Sequence, residues 1–110
     1  MEAPQLDQAA RLLLRARLDR QRIAALPDEC RPRDEAQAYL IQDRFVDAML
    51  AHGGGDIIGY KAGCTNVTAQ RQLGLSAPFA GPLLSAFALT SPAEISAEDG
   101  FMRMIEAEIG

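Results

Sequence analysis

The sequence has no CxxC pair, only one histidine, no basic stripe and no apolar run long enough to cross a bilayer. Each absence removes a class of function. Cys30 and Cys64 lie far apart with no histidine beside either, which speaks against a zinc site and fits reduced thiols in the cytoplasm. No stretch approaches the eighteen or more apolar residues of a membrane helix, and the N-terminus lacks a basic region followed by an apolar one, so neither membrane nor secretion is expected. The sequon Asn66-Val67-Thr68 then has no consequence. Lysine and arginine number 11 against 15 acidic residues, for a net charge of −4. Nucleic acid and anionic membranes are therefore not expected partners, and a small anionic ligand would need local positive groups or a metal. Internal repeats and low-complexity tracts are also missing. What is present is ordinary for one globular domain: 110 residues, 48% hydrophobic and 24% charged.

Along the chain, residues from about Leu6 to Leu26 are rich in Ala, Leu, Arg and Gln between Pro4 and Pro27, which predicts a helix. Its arginines, Arg11, Arg15, Arg17, Arg20 and Arg22, read as a solvated face balanced by Asp7 and Asp19 rather than a phosphate site. After a linker over Pro27 to Pro32, a second helix is predicted from Arg33 to His52. Ala38, Ile41, Phe45, Ala48 and Met49 form its apolar stripe, and Gly53-Gly54-Gly55 forms its stop. His52, in the last turn, suits the helix dipole better than catalysis. A strand over Ile57 to Thr65 follows, then a short helix from Asn66 to about Leu73 ended by Gly74. Leu75 to Pro82 reads as a loop, Ala97 to Gly100 as a turn, and Phe101 to Ile109 as a last strand.

Two features carry chemistry. In Ile57-Ile58-Gly59-Tyr60-Lys61-Ala62-Gly63-Cys64-Thr65, alternation puts Gly59, Lys61 and Gly63 on one face and Ile58, Tyr60, Ala62 and Cys64 on the other. Spacing alone favours a surface lysine on an edge strand, although glycine flanks also suit a lysine projecting into a ligand pocket. In Met104-Ile105-Glu106-Ala107-Glu108-Ile109, the same alternation aligns Glu106 and Glu108. Their Cα atoms would be roughly 6.6 Å apart, within reach of one cation. Two carboxylates about 5 Å apart repel by roughly 3 kcal/mol at an effective dielectric near 20, so a partly buried pair would protonate or recruit a positive ion. Oxygen ligation favours Mg²⁺, Mn²⁺ or Ca²⁺. A half-exposed strand gives the same pattern, and no third carboxylate is marked by position as a partner.

The GYKAGCT run, the NVTAQRQLGL segment with PFAGPLL after it, and the closing IEAEI together resemble the fumarylacetoacetate hydrolase superfamily. Within it they resemble the 2-keto-4-pentenoate hydratase and 4-oxalocrotonate decarboxylase branch. That branch carries a G-W/Y-K-x-G-x-T strand, an AxQxxLG helix, a P-x-x-G-x-L loop and an E-A-E-I strand in this order. Ala38-Tyr39 and Gln42 are similar to its N-terminal region.

The resemblance implies an α+β fold. A helical region over 1–55 would be followed by the start of a catalytic β domain over 56–110, the first strands of a mixed β-sheet roll, apparently truncated. It implies a lyase or hydratase acting on a small 2-oxo or 2-hydroxy-dienoic acid from aromatic-compound catabolism, in a homo-oligomer. Lys61 would be catalytic and Glu106 and Glu108 would be ligands of Mg²⁺ or Mn²⁺. Gly63, Thr65 and Leu84 would contact substrate, and a third glutamate ligand would lie on a later strand beyond residue 110, leaving this chain inactive alone.

One departure is informative. Where the hydratases commonly read P-D-F/Y-G, this chain has Pro78-Phe79-Ala80-Gly81, and Phe79 cannot transfer a proton. A decarboxylase or hydrolase on a related oxo acid, or a non-catalytic relative, therefore stands beside the hydratase reading.

Overall fold

A computed structural model describes residues 1–99 and 104–110. The first helix, α1 (Ala3–Leu18), opens with a reciprocal cap in which the Glu2 amide donates to the Gln5 side chain at 2.9 Å, and proline occupies the first turn. It ends eight residues before the expected Leu26, with Arg20 in the left-handed region at φ 53°. Residues 19–25 are all exposed, so the good helix propensity there has no buried face to support it.

The second helix, α2 (Glu35–Met49), is capped by Asp34, whose carboxylate accepts from the Gln37 amide at 2.8 Å. It runs into a wider turn over Leu50–Gly54 and stops at Gly53, which adopts φ 87°. Its inner face buries Ile41, Val46 and Met49. Leu6 and Ala9 of α1, Ile41 of α2 and Cys30 from the turn Asp28–Cys30 form the core, with Met1, Leu12, Leu13 and Leu26 packed around it. Asp7 and Arg44 bridge the two helices at the surface at 3.2 Å.

The β part is a two-stranded antiparallel sheet of β1 (Ile57–Gly63) and β2 (Phe79–Leu84). Between them lies the short α3 (Val67–Gln72), capped by the Asn66 side chain at 2.7 Å from the Ala69 amide. The β2 strand corrects the loop expected over Leu75 to Pro82. Prolines argue against a central strand, but β2 belongs to a two-stranded sheet, where proline is tolerated at an edge. Two hydrogen bonds tie helix α2 to β2: the Ala80 amide donates to the Tyr39 hydroxyl at 3.0 Å, and the Gln42 amide donates to the Ala80 carbonyl at 3.2 Å. The open end of the hairpin is closed by Asp56 and Ser85. The Ser85 hydroxyl accepts from the Asp56 amide, and the Ser85 amide donates to the Asp56 carbonyl, both at 2.8 Å.

The expected last strand is also corrected. Residues 104–110 carry no regular structure and are exposed, and residues 101–103 of that expectation lie outside the described residues. A strand needs a neighbour to satisfy its amides and carbonyls, and among the described residues β1 and β2 pair only with each other.

The sheet leaves apolar surface open on both faces, with Tyr60 72% exposed on one and Phe79 and Leu83 44% and 43% exposed on the other. The consequence shows in the dimensions. The radius of gyration is 15.1 Å, against about 13 Å for a compact chain of this length. The accessible surface is 8614 Å², against roughly 5,900 Å² expected for a compact monomer of 11.9 kDa. Among the described residues no helix is long and apolar enough to cross a membrane.

Candidate functional site

Pairing register defines the surroundings of Lys61. Opposite it stands Gly81, while Gly59 faces Leu83 and Gly63 faces Phe79. Residues directly opposite in an antiparallel pair project to the same face, as do alternate residues along a strand. Lys61 thus rises from a patch whose three nearest positions are glycines, with Phe79 and Leu83 at its ends. The Phe79 ring lies on Gly63: its Cε2 and Cζ are 2.6 Å from where a Gly63 Cβ would stand. Gly63 is needed because any side chain there would meet the ring.

The Lys61 ammonium donates to the Glu108 carboxylate at 3.2 Å, with both side chains about half exposed, 50% and 53%. A surface pair of this kind contributes about 0–1 kcal/mol. It is the one contact that brings a predicted metal-ligating residue to the predicted catalytic residue. Glu106 is exposed nearby in sequence, and among the described residues no group of three His, Cys, Asp or Glu side chains is assembled for a metal.

The three residues expected at substrate are spread along the hairpin. Gly63 ends β1 under the Phe79 ring, and Thr65 is exposed in the connection to α3. Leu84 is opposite Ile57, at the other end of the ladder, with its Cδ1 3.2 Å from the position of a Gly54 Cβ. It lines an apolar crevice between α2 and the hairpin together with Phe45, Met49 and Ile58. Arg17 stacks over Phe87 at that crevice, 4.8 Å from the ring centre.

Sequence reasoning placed Phe79 and Gly81 in a loop and so missed that they share the face of Lys61. Gly59 and Gly63 on the first strand and Gly81 on the second were the available signal. The strand end beyond Gly63 is held by Cys64, at φ 52°, whose carbonyl accepts from the Gln70 side chain at 2.9 Å. Cys30 is no nucleophile. Burial pushes its thiol pKa up and the Glu29 carboxylate adds to this, with Arg31 working the other way.

No protein-family model matches the chain. It is 34% identical over 101 residues to 2-keto-4-pentenoate hydratase 1 of Dechloromonas aromatica, covering 92% of the chain and 38% of that relative. It is 32% identical over 104 residues to 2-keto-4-pentenoate hydratase of Paraburkholderia phymatum, covering 94% and 39%. Over 76 residues it is 36% identical to the TodF product hydratase of Pseudomonas putida, covering 69% and 28%. The chain spans well under half the length of these relatives. Matched across nine-tenths of its length, the chain is similar to the 2-keto-4-pentenoate hydratases, consistent with a portion of a fumarylacetoacetate hydrolase superfamily member.

Proposed function

We propose that this chain forms the lysine and first metal-ligand portion of a metal-dependent lyase that acts on a small 2-oxo or 2-hydroxy-dienoic acid of aromatic-compound catabolism, within a homo-oligomer. The observation that carries the reading is the Lys61–Glu108 contact on a glycine-lined face. It joins the two motifs by which the chain resembles its hydratase relatives.

Each residue has a physical task. Gly59, with nothing nearer than Leu83 Cδ1 at 3.9 Å from the position of a Cβ, leaves room for the flat carbon chain of a conjugated acid beside Lys61, while the Phe79 ring covers Gly63 and the Gln42 amide lies over Gly81. The Lys61 ammonium holds the substrate carboxylate or moves a proton at the adjacent carbon. Glu106 and Glu108 are hard oxygen donors suited to Mg²⁺ or Mn²⁺, ions that need only one or two carboxylates because substrate oxygens and water complete their shells. When bound, the ion supplies Lewis-acid stabilisation of negative charge developing on the substrate oxygen. The hairpin then corresponds to the first strands of a mixed β-roll whose further strands cover its open edges.

Hydration of the dienol acid fits the names of the relatives. Phe79 favours a second reading, a decarboxylase or hydrolase on a related oxo acid or a non-catalytic relative, because it cannot transfer a proton beside Lys61. Thermal unfolding with MgCl₂ or MnCl₂, on the longest form the gene encodes, tests the metal site. The expected result is a rise in Tm that Glu106→Ala abolishes; an identical melting curve with and without either ion would sink the proposal.

A further inference from the structure

We infer that Phe79 is a specificity-determining residue: its ring forms an apolar wall beside Lys61 that selects 2-oxo acids bearing an apolar tail at the end remote from the carboxylate. The inference rests on the reading of Lys61 as the carboxylate-binding group. The argument starts from the register. Gly63 and Phe79 are opposite each other, and the ring lies against the glycine, so it is on the lysine's face.

Alternate strand positions are roughly 6.6 Å apart, about the length of a five-carbon conjugated acid. An acid anchored at Lys61 and running along β1 towards Gly63 therefore ends its carbon chain at the Phe79 ring that covers this glycine. Phe79 is 44% exposed, so it is open to contact with such a tail. An aspartate at this position would offer a proton and a charge; phenylalanine offers only apolar contact, which disfavours a tail ending in a charged group and favours an alkyl or aryl one. The opposite direction along the strand ends at Leu83, also apolar.

A ring laid over a strand glycine also stabilises the sheet by covering exposed backbone. The test must separate that structural role from selection. Binding of pyruvate and of 2-oxo-4-phenylbutanoate is measured by calorimetry with MgCl₂ present, on the longest form the gene encodes, for the wild type, Phe79→Ala and Phe79→Leu. The wild type is expected to bind the phenyl-bearing acid more tightly than pyruvate. Phe79→Ala should shrink that preference by about three- to tenfold, the range of one aromatic contact. Phe79→Leu, which keeps an apolar side chain and guards against a folding failure of the alanine variant, should lose part of it. A preference ratio unchanged in both variants, whatever happens to Tm, would overturn the inference and leave the Lys61 site standing. Failure of the wild type to bind either acid would instead overturn the Lys61 reading, and the inference with it.

Discussion

Replacing Gly63 by alanine tests whether the ring over this glycine is as close as the geometry requires. An alanine Cβ would stand 2.6 Å from two ring carbons of Phe79, whereas carbon atoms rest about 3.5–4.0 Å apart. The ring must retreat by about 1 Å. Gly63 is not among the glycines with positive φ, so the backbone adds no strain of its own. The penalty is therefore steric and belongs to the pair. Forcing the ring off its preferred rotamer costs about 0.5–1.5 kcal/mol, equivalent to a fall in Tm of roughly 4–8 °C per kcal/mol in a domain of this size.

In a Phe79→Ala background the obstruction is gone. There Gly63→Ala should be neutral or stabilising by up to about 0.5–1 kcal/mol, because alanine loses less backbone entropy on folding than glycine. Urea unfolding followed by circular dichroism on the two single variants and the double variant gives the coupling, expected at about 1–2 kcal/mol. Equal penalties for Gly63→Ala with and without the ring, a coupling below about 0.3 kcal/mol, would refute the arrangement on which the site rests.

Gly54→Ala should be costlier, because its Cβ would meet the Met49 carbonyl oxygen at 2.7 Å, a backbone atom with no rotamer to escape by; we expect a loss of about 1–3 kcal/mol in urea unfolding. Lys61→Met should change folding stability by less than about 1 kcal/mol, since the Glu108 pair is half exposed, and the effect should shrink further in salt; a larger loss would make Lys61 a structural residue. Cys64 should react with a thiol reagent well before Cys30, which is fully buried and whose pKa is raised. Above the unfolded thiol's pKa the unfolded chain releases a proton that folded Cys30 retains, so stability should fall as pH rises through that alkaline window, and Cys30→Ala should flatten the slope.

Local chemistry was legible in the sequence and non-local pairing was not. Asn66 announced one helix start, and Gly53 and Gly74 two stops, because caps and left-handed turns are decided within a few residues. Helix α1 was overextended because propensity favours 19–25 while packing gives them nothing to bury. The β2 strand was hidden by Pro78 and Pro82, since its existence depends on β1 some twenty residues away and on Tyr39 and Gln42 of α2. The glycine-flanked Lys61 was visible as a pattern, but the third glycine, Gly81, and the Phe79 wall needed the register. Glu106 and Glu108 were read as strand residues from their alternation; alternation describes a strand only where a neighbour completes it, and residues 104–110 have none here.

The central claim is that Lys61 and the two glutamates work on one 2-oxo acid with a divalent ion. Its most direct test is the consumption of 2-hydroxypenta-2,4-dienoate, followed by loss of its ultraviolet absorbance, on the longest form the gene encodes with MgCl₂. The account predicts turnover that chelation removes and that Lys61→Ala and Glu108→Gln each reduce by at least about a hundredfold, the scale of one acid–base group. Turnover that persists at the wild-type rate in both variants would contradict it.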